Sequence, residues 1–262
     1  MIKIKVHPLT YFILFSILIC GYFNYFLIIS FILLIHDLGH IIVMRIFNIK
    51  IYNLTILPFG SIIKSNIKYN LNSNIQLLIS ISGILMQLML YFIFKFLFEL
   101  GFVNDISLSI FNYYNKLIIL FNVLPIIPLD GSKVLLSFLE RIFPFKLSLK
   151  IVNIISLVFI VIFILLNKVN LNLILMFTFL LLKTYEEILN HNYIFNKFLL
   201  ERYLAKTNNY KIKYIKSINN IYKNRFNFIK NESESRFLAK LFDIESYFWY
   251  YLFVCKWIYK PL

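Results

Sequence analysis

The sequence predicts an all-α polytopic membrane protein of about six transmembrane helices, with a short membrane-associated β-hairpin and a small cytoplasmic C-terminal region. Three observations predict it. The chain is 60% apolar and only 15% charged, with a mean hydropathy of +0.78, too little charge to coat a soluble domain. Its apolar runs recur at lengths close to the roughly 20 helical residues that cross ~30 Å of hydrocarbon. Its lysines and arginines gather in alternate connectors, as membrane topology requires.

Taken in order, the first apolar run follows MIKIKVHP and has no small-residue cleavage site after it, so it reads as a retained span over 9–24. Further spans are expected at 26–47, 75–98, 108–127, 151–167 and 170–187. Pro125 and Pro128 interrupt the end of the fourth, and a shorter helix over 131–143 (GSKVLLSFLERIF) follows. Segment 51–64 (IYNLTILPFGSIIK) is too short to span, rich in β-branched residues, and turns at Pro58 and Gly60. A hairpin in a protein-lined cavity fits it, because irregular backbone at membrane depth needs protein or water to satisfy its polar groups.

Six spans put both termini on one side. Lys3, Lys5, Arg45, Lys50, Lys64, Lys68, Lys133, Arg141, Lys146 and Lys150 fall on that side, which the positive-inside rule makes cytoplasmic. The expected division is a transmembrane core over 1–188, an amphipathic linker helix over 189–206 and a small cytoplasmic region over 207–262. Residues 189–262 carry 13 Lys or Arg against 5 Asp or Glu. With the rest of the +15 net charge in membrane connectors, no direct nucleic-acid partner is expected; the basic tail sits next to the lipid bilayer, as a small cytoplasmic domain or lying on the anionic inner surface. Cys20 and Cys255 lie far apart and support neither a disulfide framework nor a thiolate metal site.

The chemistry sits in the second span, FILLIHDLGHIIVMRIF. His36 and His40 are four apart, so on a helix they share a face and can reach one metal ion. Asp37 could hold a water beside the metal and take its proton, and Gly39 lets another segment approach. Ionisable groups in an apolar span are costly without partners, which favours a metal site over interfacial histidines. A catalytic zinc takes a third protein ligand and keeps one position open. Asp130, in FNVLPIIPLDGSKVLL, is the only acid between Asp105 and Glu140 and follows a proline-broken segment. Zn2+ so held could activate water against a peptide carbonyl. Asn122, eight residues upstream of Asp130, could bond a substrate backbone or be a packing residue. His7, His191 and Lys133 read as interfacial side chains, and Ser82–Gln87 (SGILMQ) as a small-residue packing surface.

This pattern resembles the site-2 protease family of intramembrane zinc metallopeptidases, and within it the stage IV sporulation branch. The family's His-Glu-x-x-His motif matches His36 and His40, and its Asp-Gly motif matches Asp130 and Gly131. KVHP near the start, LPFG at Leu57–Gly60, FNVLPIIPLDG at Phe121–Gly131 and EEILNHNYIFNKFLLERY at Glu186–Tyr203 agree as well, and the likeness runs over about residues 3–206. The resemblance implies a site-2 protease-like core with zinc on His36, His40 and Asp130. Asp37 would be general base and then acid, and Asn122, Pro58, Phe59 and Gly60 would meet an extended substrate. It also implies a membrane-associated protein substrate, a sporulation pro-sigma factor, with inhibitory membrane proteins as partners. The location it implies is the mother-cell membrane surrounding the forespore.

The chain departs from the pattern in places. Asp37 stands where the family has Glu, drawing the carboxylate back by about 1.5 Å, and a misplacement of that order can cost about a hundredfold in rate. Ile84 replaces a proline and Ser61 a glycine. Residues 207–262 are short for the branch's CBS domain and show no clear strand–helix rhythm, which suggests a reduced version. The expected activity is zinc-dependent endopeptidase cleavage. The alternative is a zinc-binding pseudoprotease, with Asp37 as its support. A transporter is disfavoured because the ionisable residues converge on one constellation rather than spreading through several spans.

Overall fold

The computed structural model describes residues 3–6, 8, 10, 11, 15, 19–57, 60–166, 171–205 and 211–244. Seven of the sixteen residues of the expected first span, 9–24, therefore fall outside the described residues, as do His7, Pro58 and Phe59.

Helix α1 spans Phe23–Ile46. It stops where Asn48 takes a left-handed conformation (φ 54°) and the Ile49 amide returns to the Met44 carbonyl at 2.9 Å, a turn that satisfies otherwise orphaned carbonyls. Helix α2 spans Ser73–Glu99 and starts at Asn72, whose side chain accepts from the Asn74 amide. Helix α3 spans Asp105–Val123 and is capped likewise by Asn104. It ends four residues before the expected boundary. Leu124, which precedes Pro125, is extended (ψ 135°), as the proline ring demands of its neighbour.

Helix α4 (Asp130–Ile142), α5 (Phe145–Leu166), α6 (Leu171–Leu189) and α7 (His191–Leu204) follow. Helices α1, α2 and α5 are long and apolar enough to cross a membrane. The helix surfaces invert the soluble pattern. Phe92 and Leu165 point outward at 67% and 78% exposure, while Gln87, Asn115, Ser148, Asn153 and Ser156 are buried. Ile32, Leu90, Phe111 and Ile118 lock α1, α2 and α3 together, and Ile126, Leu129, Ile160, Phe177 and Leu180 tie the α3–α4 turn to α5 and α6.

The expected hairpin is present as β2 (Ile51–Leu57) antiparallel to β3 (Gly60–Ser65), closing with Leu57 opposite Gly60. The sheet has a third strand, from the segment that precedes the first expected span. β1 (Lys3–Val6) pairs in parallel with β2, Lys3 opposite Asn53 and Val6 opposite Ile56. The order is β1-β2-β3, and β3 packs against α1, the helix that carries both histidines.

The turn that delivers Asp130 is pinned from the side. Ser156 on α5 accepts from the Ile127 amide at 3.3 Å and donates to the Pro125 carbonyl at 3.2 Å, and the Ile127–Pro128 bond is cis. Gly131 then lets the start of α4 lie on the end of α3. A Cβ at Gly131 would run into the Val123 and Leu124 carbonyls.

Residues 211–244 do hold strands and a helix. β4 (Ile212–Ile215) lies parallel to β5 (Phe226–Ile229), β6 (Glu232–Ser233) returns antiparallel, and α8 (Glu234–Ile244) closes the unit. Its core, Ile221, Ile229 and Leu238, joins Phe145 and Leu149 of α5 to the buried stripe Ile194, Phe195, Phe198 and Leu199 of α7. Arg202 crosses this interface. Its guanidinium holds both Glu234 carboxylate oxygens and the Lys223 and Arg225 carbonyls, a forked geometry lysine cannot reproduce.

Candidate metal centre

Three helices bring the site together. The 3.6-residue helical period sets His36 and His40 one above the other on the buried face of α1. Asp130 arrives from the first turn of α4, where the helix N-terminus favours an anion. Asp130 Oδ2 lies 3.0 Å from Nε2 of His36 and 3.0 Å from Nε2 of His40, and the two Nε2 atoms are 3.1 Å apart. All three side chains are buried.

The opposite ring nitrogens are already engaged. Nδ1 of His40 donates to the Ile79 carbonyl at 2.7 Å, and Nδ1 of His36 to Gln87 Oε1 at 3.0 Å. A carbonyl oxygen only accepts, so each Nδ1 carries a proton, and in the neutral ring each Nε2 then presents a lone pair. Two lone pairs and a carboxylate oxygen thus crowd one point. Neutral protein groups gain nothing from that arrangement, whereas a cation does. The donor set suits zinc. Tetrahedral bonds of ~2.0–2.1 Å would hold neighbouring ligand atoms about 3.3 Å apart, within a few tenths of the spacings here. Among the described residues this is the one cluster of His, Cys, Asp or Glu that could hold a metal.

Close helix packing makes the centre possible. A Cβ on Gly39 would come 2.5 Å from the Ser82 carbonyl, and one on Gly83 would lie 2.5 Å from His36 Cε1 and 2.7 Å from both Nε2 atoms. The small-residue surface at Ser82–Gln87 therefore also lines the candidate metal centre. Ser82 Oγ adds a 3.3 Å contact to His40 Nδ1. The sequence signal was the small-residue pair itself, and Gln87 gave none. Lys133, expected at the headgroups, instead donates to Asp130 Oδ1 at 2.9 Å, one helical turn away. It leaves Oδ2 to the histidines.

Asp37 is half-buried on α1, with its Oδ2 sealed from solvent. Asn122 sits half-buried in the last turn of α3, on the segment leading to Asp130. Gly60 opens β3, and its expected companions Pro58 and Phe59 lie outside the described residues. His191 begins α7 and is not one of the clustered side chains.

No protein-family model matches the sequence. Stage IV sporulation protein FB of Bacillus subtilis (strain 168) is 31% identical over 211 residues, 78% of this chain and 73% of that protein. The solved structure of the site-2 protease from Methanocaldococcus jannaschii superposes with a TM-score of 0.52 at 24% identity, covering 71% of this chain and 90% of that one. The structural likeness speaks for the fold and the sequence likeness for descent. With two histidines and an aspartate converging between apolar helices, they place this chain in the site-2 protease family of intramembrane metallopeptidases.

Proposed function

We propose that this chain is an intramembrane zinc endopeptidase that cuts a membrane-tethered protein, with a sporulation pro-sigma factor as its substrate. The observation that carries the reading is the meeting of His36 Nε2, His40 Nε2 and Asp130 Oδ2 within 3.0–3.1 Å, their protonated nitrogens turned away. Those three side chains would hold zinc. When bound there, zinc lowers the pKa of a water and polarises the scissile carbonyl.

The other roles belong to the chain itself. Asp37 takes the proton of the attacking water and returns it to the leaving nitrogen. The β2–β3 hairpin pairs with the substrate as an added strand, and Pro58, Phe59 and Gly60 meet that substrate. An extended substrate is required because a helix hides its carbonyls in its own hydrogen bonds. Asn122 bonds the substrate backbone where it crosses toward Asp130. Six spans with cytoplasmic termini put this site within reach of the mother-cell cytoplasm across the membrane around the forespore. Residues 207–262 form a reduced CBS-like cytoplasmic region, and membrane proteins of the same compartment hold the protease inactive.

A second reading rests on Asp37 alone. Its carboxylate is one methylene shorter than the glutamate of the family, and a chain silenced that way would bind zinc and substrate without cutting. Co-expression with a membrane-tethered pro-sigma factor separates the two. Cleavage by the natural chain, lost in Asp37→Ala and Asp130→Ala, supports the protease. Zinc binding without cleavage, with cleavage restored by Asp37→Glu, supports the pseudoprotease.

A further inference from the structure

We propose that Gln87 is a positioning residue for the metal, and this rests on the zinc reading above. Its carbonyl holds His36 in the tautomer and ring orientation that aim Nε2 at the centre. The two histidines are oriented by different means. His40 leans on a backbone carbonyl, that of Ile79, which no substitution removes, whereas His36 depends on the side chain of Gln87 at 3.0 Å. Without that acceptor, neutral His36 is free to carry its proton on Nε2 and lose its ligand lone pair.

The cost of Gln87 argues that the contact matters. Its side chain is wholly buried in an apolar helix, and its Nε2 has no hydrogen-bond partner. A buried unsatisfied amide group is costly, and a leucine at the same place would avoid that cost. The helix face agrees. Ile79, Gly83 and Gln87 stand at i, i+4 and i+8 on α2, so one stripe supplies an acceptor for His40, clearance for both rings and an acceptor for His36. Asn115 of α3 braces the stripe from behind through the Gln87 backbone carbonyl at 3.4 Å.

The test uses the purified full chain in detergent, with zinc affinity measured by chelator competition and the ligand field read from the visible spectrum of the cobalt-substituted protein. Three variants are compared: Gln87→Leu and Gln87→Met remove the acceptor at similar volume, and Gln87→Glu keeps it. Loss of an outer partner of a metal-bound histidine weakens metal binding about 10–100-fold. That loss is expected in Gln87→Leu and Gln87→Met, with a shifted cobalt spectrum and a melting temperature of the metal-free protein no lower than that of the natural chain. Gln87→Glu is expected to stay within a few-fold of the natural chain. Equal zinc affinity in all four proteins overturns the inference, and so does an equal loss in Gln87→Glu, which would mark a packing role. Failure of the natural chain itself to bind zinc would instead overturn the metal reading beneath it.

Discussion

Lys223 Nζ lies 2.7 Å from Glu140 Oε2, with both side chains at 1% exposure or less, so an ion pair is sealed between the C-terminal unit and α4. Ser73 and Gln76 at the start of α2 complete it, Ser73 donating to the same Glu140 oxygen at 2.8 Å and Gln76 accepting from Lys223 at 2.7 Å. Asn224 donates to Ser73 as well. Burial pushes the Lys223 ammonium down and the Glu140 carboxyl up from their ordinary ranges, and each charge opposes the shift of the other.

Breaking that pair from one side strands a charge. Lys223→Met or Glu140→Leu alone is expected to destabilise the docked C-terminal unit by about 3–5 kcal/mol, and the double variant to recover most of it. Limited proteolysis of the linker after α7, with thermal unfolding in detergent, reads the effect. Additive losses in the double variant would mean that the two residues act separately.

Gly83→Ala should empty the metal centre. The added methyl would sit 2.5–2.7 Å from the imidazole atoms of His36 and His40, and neither ring can withdraw without leaving the cluster. Zinc content by elemental analysis is expected to fall at least about tenfold, with the helical circular dichroism retained. Full zinc occupancy in Gly83→Ala would show that α1 and α2 are not held this close.

Asp37→Glu is expected to keep zinc and to raise the cleavage rate, by up to about a hundredfold if the shorter carboxylate is misplaced by its full missing methylene. Rates are compared at equal zinc content on one membrane-tethered substrate. A slower Asp37→Glu enzyme would show that the helix backbone here is already adjusted to aspartate.

Chelation should abolish cleavage in the natural chain, and added zinc should restore it. Asp130→Asn leaves a weaker, neutral donor and is expected to lose both zinc and activity. Cleavage that persists in excess chelator would point to a different hydrolytic chemistry.

His191 supplies a dependence on pH. Partial burial, together with Lys146 and Lys150, lowers its pKa below the ordinary histidine value. The unfolded chain therefore takes up this proton first, and the associated stability, full above about pH 6.5, is lost as pH falls through the folded value. Melting temperatures between pH 7 and 5 should fall less in His191→Asn than in the natural chain. Parallel curves would assign the acid sensitivity to other groups.

The meeting of His36, His40 and Asp130 was legible because the membrane makes ionisable residues conspicuous. His36, Asp37 and His40 interrupt an unbroken apolar run at helical spacing, and Asp130 stands alone in a long acid-free stretch. Gln87 was not legible. A single neutral amide in a span reads as packing, and only the 3.0 Å contact to His36, 51 residues away, gives it a role. β1 was hidden for a similar reason, since Lys3–Val6 becomes a strand only beside a partner some 50 residues on. In the C-terminal unit the strands are four residues or fewer, and Asn227 occupies an inward position, satisfied by Glu234 and neighbouring carbonyls. Such short strands do not alternate cleanly between apolar and polar residues. Lys133 looked like a headgroup anchor until α4 began at Asp130 and put the two one turn apart.

Helix α4 carries Asp130 at one tip and Glu140 near the other, ten residues or about 15 Å along a single α-helical rod. An α-helix is stiff along its axis, so the two carboxylates cannot slip independently. Glu140 is gripped by the C-terminal unit and the start of α2, while Asp130 faces the histidines. The rod is therefore a strut, and an ångström of play where it is clamped reappears almost undiminished at its far end.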